Sequence, residues 1–276
     1  GGTIGAIFGP WLASVLAKPM GTPFLLLVAA AFLVLAVCAA WLLTQMQDEQ
    51  TPLAQAKSSH QSTESVIGGS AWEGLLSVIR SPYLLGISAY VLIVAVIATF
   101  IYFTRLQMVA ALGVDTDTRT AAFAQIDLIA QVLTLILQAF VTSHLMKRFG
   151  VPFTLALLPI CVALGFIGLA IFGSLAALIA LDATFRAVQR GVMRPARETL
   201  FTIMPRAERY KSKAFIDTFV YRGGDVVGAQ TEGMLSKLGM GLTGLASFVV
   251  PLTLLWMALG IWLGVSQSHR AKKTDI

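Results

Sequence analysis

Charge is scarce in this sequence. Asp, Glu, Lys and Arg supply 12% of its 276 residues while apolar side chains supply 57%, a balance that a water-soluble globule of this size cannot hide in one core. Only two cysteines occur, Cys38 and Cys161, both inside apolar runs, which argues against a disulfide framework or a cysteine-based metal site. The three histidines sit at span edges or in loops, and no glycine-rich phosphate loop ends in Lys-Ser or Lys-Thr. ATP hydrolysis and metal catalysis are therefore not encoded, and the reading asks for no enzyme, no metal and no cofactor. A charged leader is lacking too. The chain opens at Gly1 already inside a helix-like stretch, so upstream residues are expected to be missing.

What is present is apolar sequence in long runs. Crossing a hydrocarbon core of about 30 Å takes roughly 20 apolar residues, and eight windows meet or approach that length: 1–17, 22–44, 82–106, 119–145, 151–173, 175–200, 213–236 and 242–265. They imply an all-α fold class, a polytopic membrane bundle. Between the second and third windows, 45–70 is rich in Gln, Ser, Thr and Glu and too polar to bury a core, so it is expected to be a linker. Residues 71–80 then place Trp72, Leu75, Leu76 and Ile79 at helical spacing among polar neighbours, as a short interfacial helix does.

The net charge of +6 does not point to nucleic acid, because the basic residues form no single solvated patch. In the loops they alternate. Lys57, Arg80, Lys147, Arg148, Arg206, Arg209, Lys211, Lys213, Arg270, Lys272 and Lys273 fall on one side of the expected spans; Lys18, Arg119 and Lys237 fall on the other. Cytoplasmic loops carry the Lys and Arg excess, which predicts that the linker and the C-terminus are cytoplasmic.

The sixth window carries Asp182, Arg186, Arg190, Arg194 and Arg197 on one face about 120° wide. Counted from Leu175, Arg186 lies about 16 Å deep, near mid-membrane. A central Arg or Asp costs roughly 2.5–3.5 kcal/mol to insert, so this face must meet protein or a water-filled cavity. The seventh window adds Asp217, Arg222, Asp225 and Glu232, and its opposite direction brings Asp225 to a depth where it can pair with Arg186. With Arg105, Asp127 and Glu198, the intramembrane charges balance at six basic and six acidic. One reading is therefore structural, with Asp182–Arg186 and Arg194–Glu198 pairs at i, i+4. The other is a solute site. Arg190 has no acid three or four residues away and is the first choice for an anion contact, with Arg186 second and Arg194 and Arg222 as further contacts. Asp127, Asp182, Asp217 and Asp225 are then the coupling or gating charges. A guanidinium engages carboxylate or phosphate with a planar fork and stays charged when desolvated. Pro195 and the Gly223-Gly224 pair are expected to kink their helices, and Gly1, Gly5 and Gly9 to let helices approach closely.

Two spans, a long cytoplasmic linker and six spans resemble the later part of a major facilitator transporter. On that resemblance, 1–44 holds the last two helices of the N-terminal bundle, 45–70 the cytoplasmic linker and 71–80 an interfacial helix. The C-terminal six-helix bundle comes next at 81–266 and a cytoplasmic tail at 267–276. The stretches RGVMRPARETLFT (190–202) and PRAERYKSKAFIDTFVYRGGD (205–225) are similar to bacterial relatives of the ATP:ADP antiporter family. That resemblance implies nucleotide exchange in a bacterial inner membrane, with basic residues of a central cavity holding the substrate. A general permease for organic anions or lipid-like solutes, and a non-transporting membrane scaffold, remain the alternatives. The expected partners are a small anionic solute and the lipid bilayer, not nucleic acid; oligomeric state is not legible.

Overall fold

The computed structural model describes residues 2–48, 71–111 and 115–274, and every regular element among them is helical. In chain order these are α1 (Gly2–Met20), α2 (Thr22–Asp48), α3 (Ala71–Arg80), α4 (Pro82–Ala110), α5 (Thr116–Ile136), α6 (Thr142–Phe172), α7 (Leu175–Val188), α8 (Arg194–Leu200), α9 (Arg206–Phe215), α10 (Tyr221–Lys237) and α11 (Leu242–Thr274). Three π-helical segments, Leu137–Val141, Gln189–Met193 and Ile216–Val220, join α5 to α6, α7 to α8 and α9 to α10. The expected linker lies at 49–70, outside the described residues, apart from 45–48, which end α2. The last helix runs on to Thr274, past the expected boundary at 265. No Gly or Pro interrupts 266–273, so nothing local stops it.

Local chemistry sets the ends. Ser81, Asp115 and Ser174 cap α4, α5 and α7, each side chain accepting from the backbone N–H three residues on. The Thr118 hydroxyl and amide also hold the Asp115 carboxyl below its usual range. The α5–α6 run is broken at Gly150, whose φ of 75° and ψ of 178° suit a residue without a side chain. Pro152 stands two residues on, so the break separates two spans near the expected place. Gly173 closes α6 in the left-handed region, its N–H donating to Leu169 O at 2.9 Å, a standard helix stop.

Four stretches are long and apolar enough to cross a bilayer: Thr22–Gln45, Pro82–Ala110, Thr116–Phe172 with its break, and Leu242–Ala271. The most enclosed is α4. Its Tyr83, Leu84, Ile87, Tyr90, Ile97 and Phe100 are fully buried, and its Tyr83 and Tyr90 hydroxyls donate to Leu200 O (3.0 Å) and Leu155 O (2.8 Å). These bonds satisfy phenol groups that apolar surroundings would otherwise penalise. Outward faces are apolar as well: Val37 on α2 is 69% exposed and Phe172 on α6 is 73% exposed. Such surface is stable against lipid, not water.

Small residues set the closest helix approaches, though not where the sequence pattern puts them. Among the described members of the early glycine repeat, Gly5 and Gly9 have open space around the position of a Cβ. Close contact falls instead at Gly224 and Gly228. A Cβ on Gly224 would stand 2.9 Å from Leu92 O, and one on Gly228 3.1 Å from Val96 O, so α10 lies directly on α4. Nor does the Gly223-Gly224 pair kink its helix. The irregularity is the π segment Ile216–Val220, and α10 runs unbroken through both glycines. On the side of the basic loops, α3 packs on α9, where a Cβ on Gly74 would meet Lys211 O at 2.8 Å.

At the opposite end α1 and α2 are fastened to α5. Asp117 Oδ1 accepts from the Thr22 N–H and from the Thr22 hydroxyl, both at 2.7 Å, and Thr22 Oγ1 lies 3.1 Å from Thr120 Oγ1. The α1–α2 turn thus sits at the N-terminal end of α5. Antiparallel packing of α1 on α5 then carries Gly2 and Ala6 toward Lys147 and Arg148.

Candidate functional site

Most of the intramembrane charges fall into three groups. In the first, Arg105 on α4, Asp127 on α5, and Asp182 and Arg186 on α7 form one closed cluster. Arg186 donates through Nε to Asp182 Oδ1 (2.8 Å) and through Nη2 to Asp182 Oδ2 (2.7 Å), and its Nη1 pairs with Asp127. Arg105 Nη1 reaches Asp127 Oδ1 at 3.1 Å and Asp182 Oδ2 at 3.3 Å, with its guanidinium 5.0 Å from the centre of the Phe123 ring. Two cations face two carboxylates, and Asp182 is 3% exposed. Such a set is tolerable in a membrane interior because every member is compensated.

This overturns the expected Arg186–Asp225 pair. Asp127 and Asp182 already engage Arg186, while Asp225 takes Arg222 of its own helix at 3.2 Å. Arg222 is 80% exposed and lines neither of the chambers that Arg194 borders, so its expected role as a solute contact finds no geometry there.

The second group gathers where α8 meets α9. Arg197 Nη2 lies 3.0 Å from Asp217 Oδ1, and Lys213 Nζ donates to Glu198 Oε2 at 2.6 Å. The expected Arg194–Glu198 pair does not form; Glu198 turns to Lys213 and, at 3.9 Å, to Arg197. Arg197 keeps a buried Nε with no acceptor among the described residues. The third group lies toward the other end, where Gln107 donates to Glu232 at 2.7 Å beside a cavity of about 290 Å³.

Arg190 and Arg194 belong to none of these groups. Neither forms an ion pair with a described residue, and together they wall a chamber of about 540 Å³ with Gln131, Thr134, Gln138 and Glu198. Gly2 and Ala6 of α1 line it as well, and it is an open cleft, not an enclosed cavity. A second chamber of about 420 Å³ lies beyond Arg194 and Glu198, lined by Arg197, Lys213, Asp217, Gln189, Tyr221 and apolar residues of α4.

All three π segments border these chambers and present polar side chains to them: Gln138 from the first, Gln189 and Arg190 from the second, Asp217 from the third. A π turn holds more residues than an α turn, so it shifts the phase of the next helix and re-aims its side chains. That explains why arginines spaced for one face divide, with Arg186 turned into the charge cluster and Arg190 and Arg194 onto the chamber. Pro195 contributes directly. It has no N–H for the Gly191 carbonyl four residues before it, and the Thr142 hydroxyl sits there instead at 2.6 Å, sharing its proton with Leu137 O at 2.9 Å. Gly191 lets the π segments touch: a Cβ there would stand 3.1 Å from Leu137 Cβ. Sequence reasoning passed over Gly191, Thr142, Gln131 and Gln138. Their only signal is a polar or small residue inside an apolar span, which many packing residues share.

No match was found among curated proteins or solved structures. The profile of the Major Facilitator Superfamily matches residues 1–186, a stretch that takes in the Arg105–Arg186 cluster and ends just before Arg190. Helices throughout, an apolar exterior, a buried charge cluster beside polar clefts and a match over most of its length make this chain a member of the Major Facilitator Superfamily, a family of secondary membrane transporters.

Proposed function

We propose that the protein carries a small anionic solute across the bilayer by alternating access, and that Arg190 and Arg194 receive it. The observation that supports this is their lack of an acidic partner beside a 540 Å³ chamber. Every other arginine of the charged α7–α8 run faces a carboxylate. Arg190 is partly buried and Arg194 exposed on the wall of this space, and a carboxylate or phosphate between them makes charge-assisted hydrogen bonds to both. The amides of Gln131 and Gln138 line the same space and add neutral donors.

The chamber lies toward the N-terminal end of α1 and the C-terminal end of α5, the side of Lys147 and Arg148 on α6, which the loop-charge asymmetry assigns to the cytoplasm. Asp217 and Glu198, held by Arg197 and Lys213, are the gating charges of this reading, because a solute anion competes with them for the same cations. Asp127 and Asp182 hold Arg186 and act as positioning groups. Asp225, on Arg222, lies apart from the chambers.

The likeness of 190–202 and 205–225 to ATP:ADP antiporter relatives makes a nucleoside phosphate the named candidate and exchange the mode. The test is counterflow. Proteoliposomes preloaded with unlabelled nucleotide take up labelled nucleotide if the candidate is right. If no nucleotide supports counterflow while another anion does, the nucleotide is wrong and the anion site stands.

A further inference from the structure

The two chambers meet along one wall. Arg194 and Glu198 line both, so a solute seated on Arg194 is in reach of either space. Arg190 stands on one side of that wall and Arg197 on the other. Seven residues apart, they are about 10 Å from each other along the helix.

Charge across the joined space is unequal. Arg190, Arg194, Arg197 and Lys213 give four positive groups; Glu198 and Asp217 give two negative ones. The excess is two. It stands in marked contrast to the nearby Arg105–Asp127–Asp182–Arg186 cluster, where two cations meet two carboxylates. Uncompensated charge inside a membrane protein marks where an ion is meant to sit.

The excess is also spread out. Arg190 and Arg194 carry it in the larger chamber, while in the smaller one Glu198 covers Lys213 at 2.6 Å. Glu198 is 47% exposed at its side chain and Lys213 36%, so this pair is on the chamber surface and can open without disturbing the buried core. Arg197 and Asp217, 3.0 Å apart with Arg197 only 12% exposed, are more firmly held.

Resting on the anionic reading above and not on the nucleotide candidate, whose charge lies at one end, we infer that the solute is an elongated dianion: one negative group binds Arg190 and Arg194 in the larger chamber, and the other displaces Glu198 from Lys213 in the smaller one. A dianion cancels the excess of two, and because Arg190 and Lys213 line different spaces that meet at Arg194 and Glu198, its negative groups stand at opposite ends of the molecule. Glu198 thereby stands in for the solute's second charge while the chamber is empty. Its release on binding loosens α9 from α8, which ties the presence of a dianion to movement of that helix.

The experiment uses the full chain in proteoliposomes or detergent, with adipate and its monomethyl ester as probes. The two are matched in length and differ by one charge. Binding is read from the ligand-dependent rise in unfolding temperature in wild type and in the Arg190→Gln, Lys213→Gln, Lys213→Arg and Glu198→Gln variants. Adipate is expected to bind about tenfold more tightly than the ester, the worth of one charge-assisted contact. Lys213→Gln should bring the two probes to parity while leaving the ester's affinity unchanged, and Lys213→Arg should restore the preference. Glu198→Gln should strengthen adipate binding, and Arg190→Gln should weaken both probes.

Equal binding of adipate and ester, both still lost in Arg190→Gln, overturns the dianion and leaves the anionic reading intact. So does a preference for adipate that persists in Lys213→Gln. Binding of neither probe, or binding indifferent to Arg190→Gln, overturns the anionic reading itself and this inference with it. The exposed Lys213 and Glu198 variants are expected to fold, and the unliganded unfolding temperature of each shows that they do.

Discussion

Arg186 and Arg190 lie about one turn apart on the same rod, yet they meet different chemistry. Arg186 shares two carboxylates with Arg105, whereas Arg190 faces a chamber. Removing one member of the closed cluster leaves charge buried without compensation. Asp182→Asn is therefore expected to destabilise the fold by ~3–5 kcal/mol, while Arg190→Gln changes unfolding little; thermal unfolding in detergent compares them. Equal loss in both would mean that Arg190 is a packing residue after all. Arg190's isolation was legible in the sequence, since counting three and four residues along one helix finds no acid. The full engagement of Arg186 was not. Asp182 was visible at i−4, but Asp127 and Arg105 reach it from other helices, and no single-helix count ranks Asp127 above Asp225.

The deciding elements are the three π segments, because they set which way the charged side chains point. None was expected. Pro195 signalled an irregularity, but its consequence falls on the Gly191 carbonyl and on the Thr142 hydroxyl 2.6 Å from it. Thr142→Val keeps the shape and removes the donor, so it should cost ~1–3 kcal/mol through an unsatisfied buried carbonyl, together with a loss of anion affinity as Arg190 shifts. Thr142→Ser should retain most of both. The glycine pair on α10 offers a sharper contrast. Gly224→Ala sets a methyl 2.9 Å from Leu92 O and 2.6 Å from Ala95 Cβ, whereas the corresponding site on Gly223 is open. The first should destabilise by ~1–3 kcal/mol and the second should be tolerated, as equilibrium unfolding of the two variants would show. Both glycines look alike in sequence; only the neighbouring helix separates them.

At the scale of the molecule, hydrophobicity made the fold class legible. Runs near the length of a bilayer became helices, and their outward faces stayed apolar. How α1 and α2 attach was not legible, because it rests on Asp117 accepting twice from Thr22 across 95 residues of chain. Asp117→Ala should loosen that end, seen as faster protease cleavage or labelling in the α1–α2 turn with little change in the cluster around Arg186. The proposed orientation rests on loop charge alone. With Cys38 and Cys161 replaced, a cysteine at Lys18 should react with a membrane-impermeant maleimide from outside intact cells. One at Lys147 should react only after permeabilisation. The reverse pattern would place the chambers toward the external medium.

The measurement closest to the central claim replaces the charge at position 190 chemically. Arg190→Cys, in a chain lacking Cys38 and Cys161, is reconstituted and assayed for uptake of a labelled anion before and after modification. Uptake should fall at least about tenfold on losing the guanidinium contact. It should return with a cationic aminoethyl adduct and stay low with an anionic sulfonatoethyl adduct of similar size. Full uptake by the unmodified Arg190→Cys protein, or equal recovery with both adducts, would contradict a site built on positive charge at Arg190.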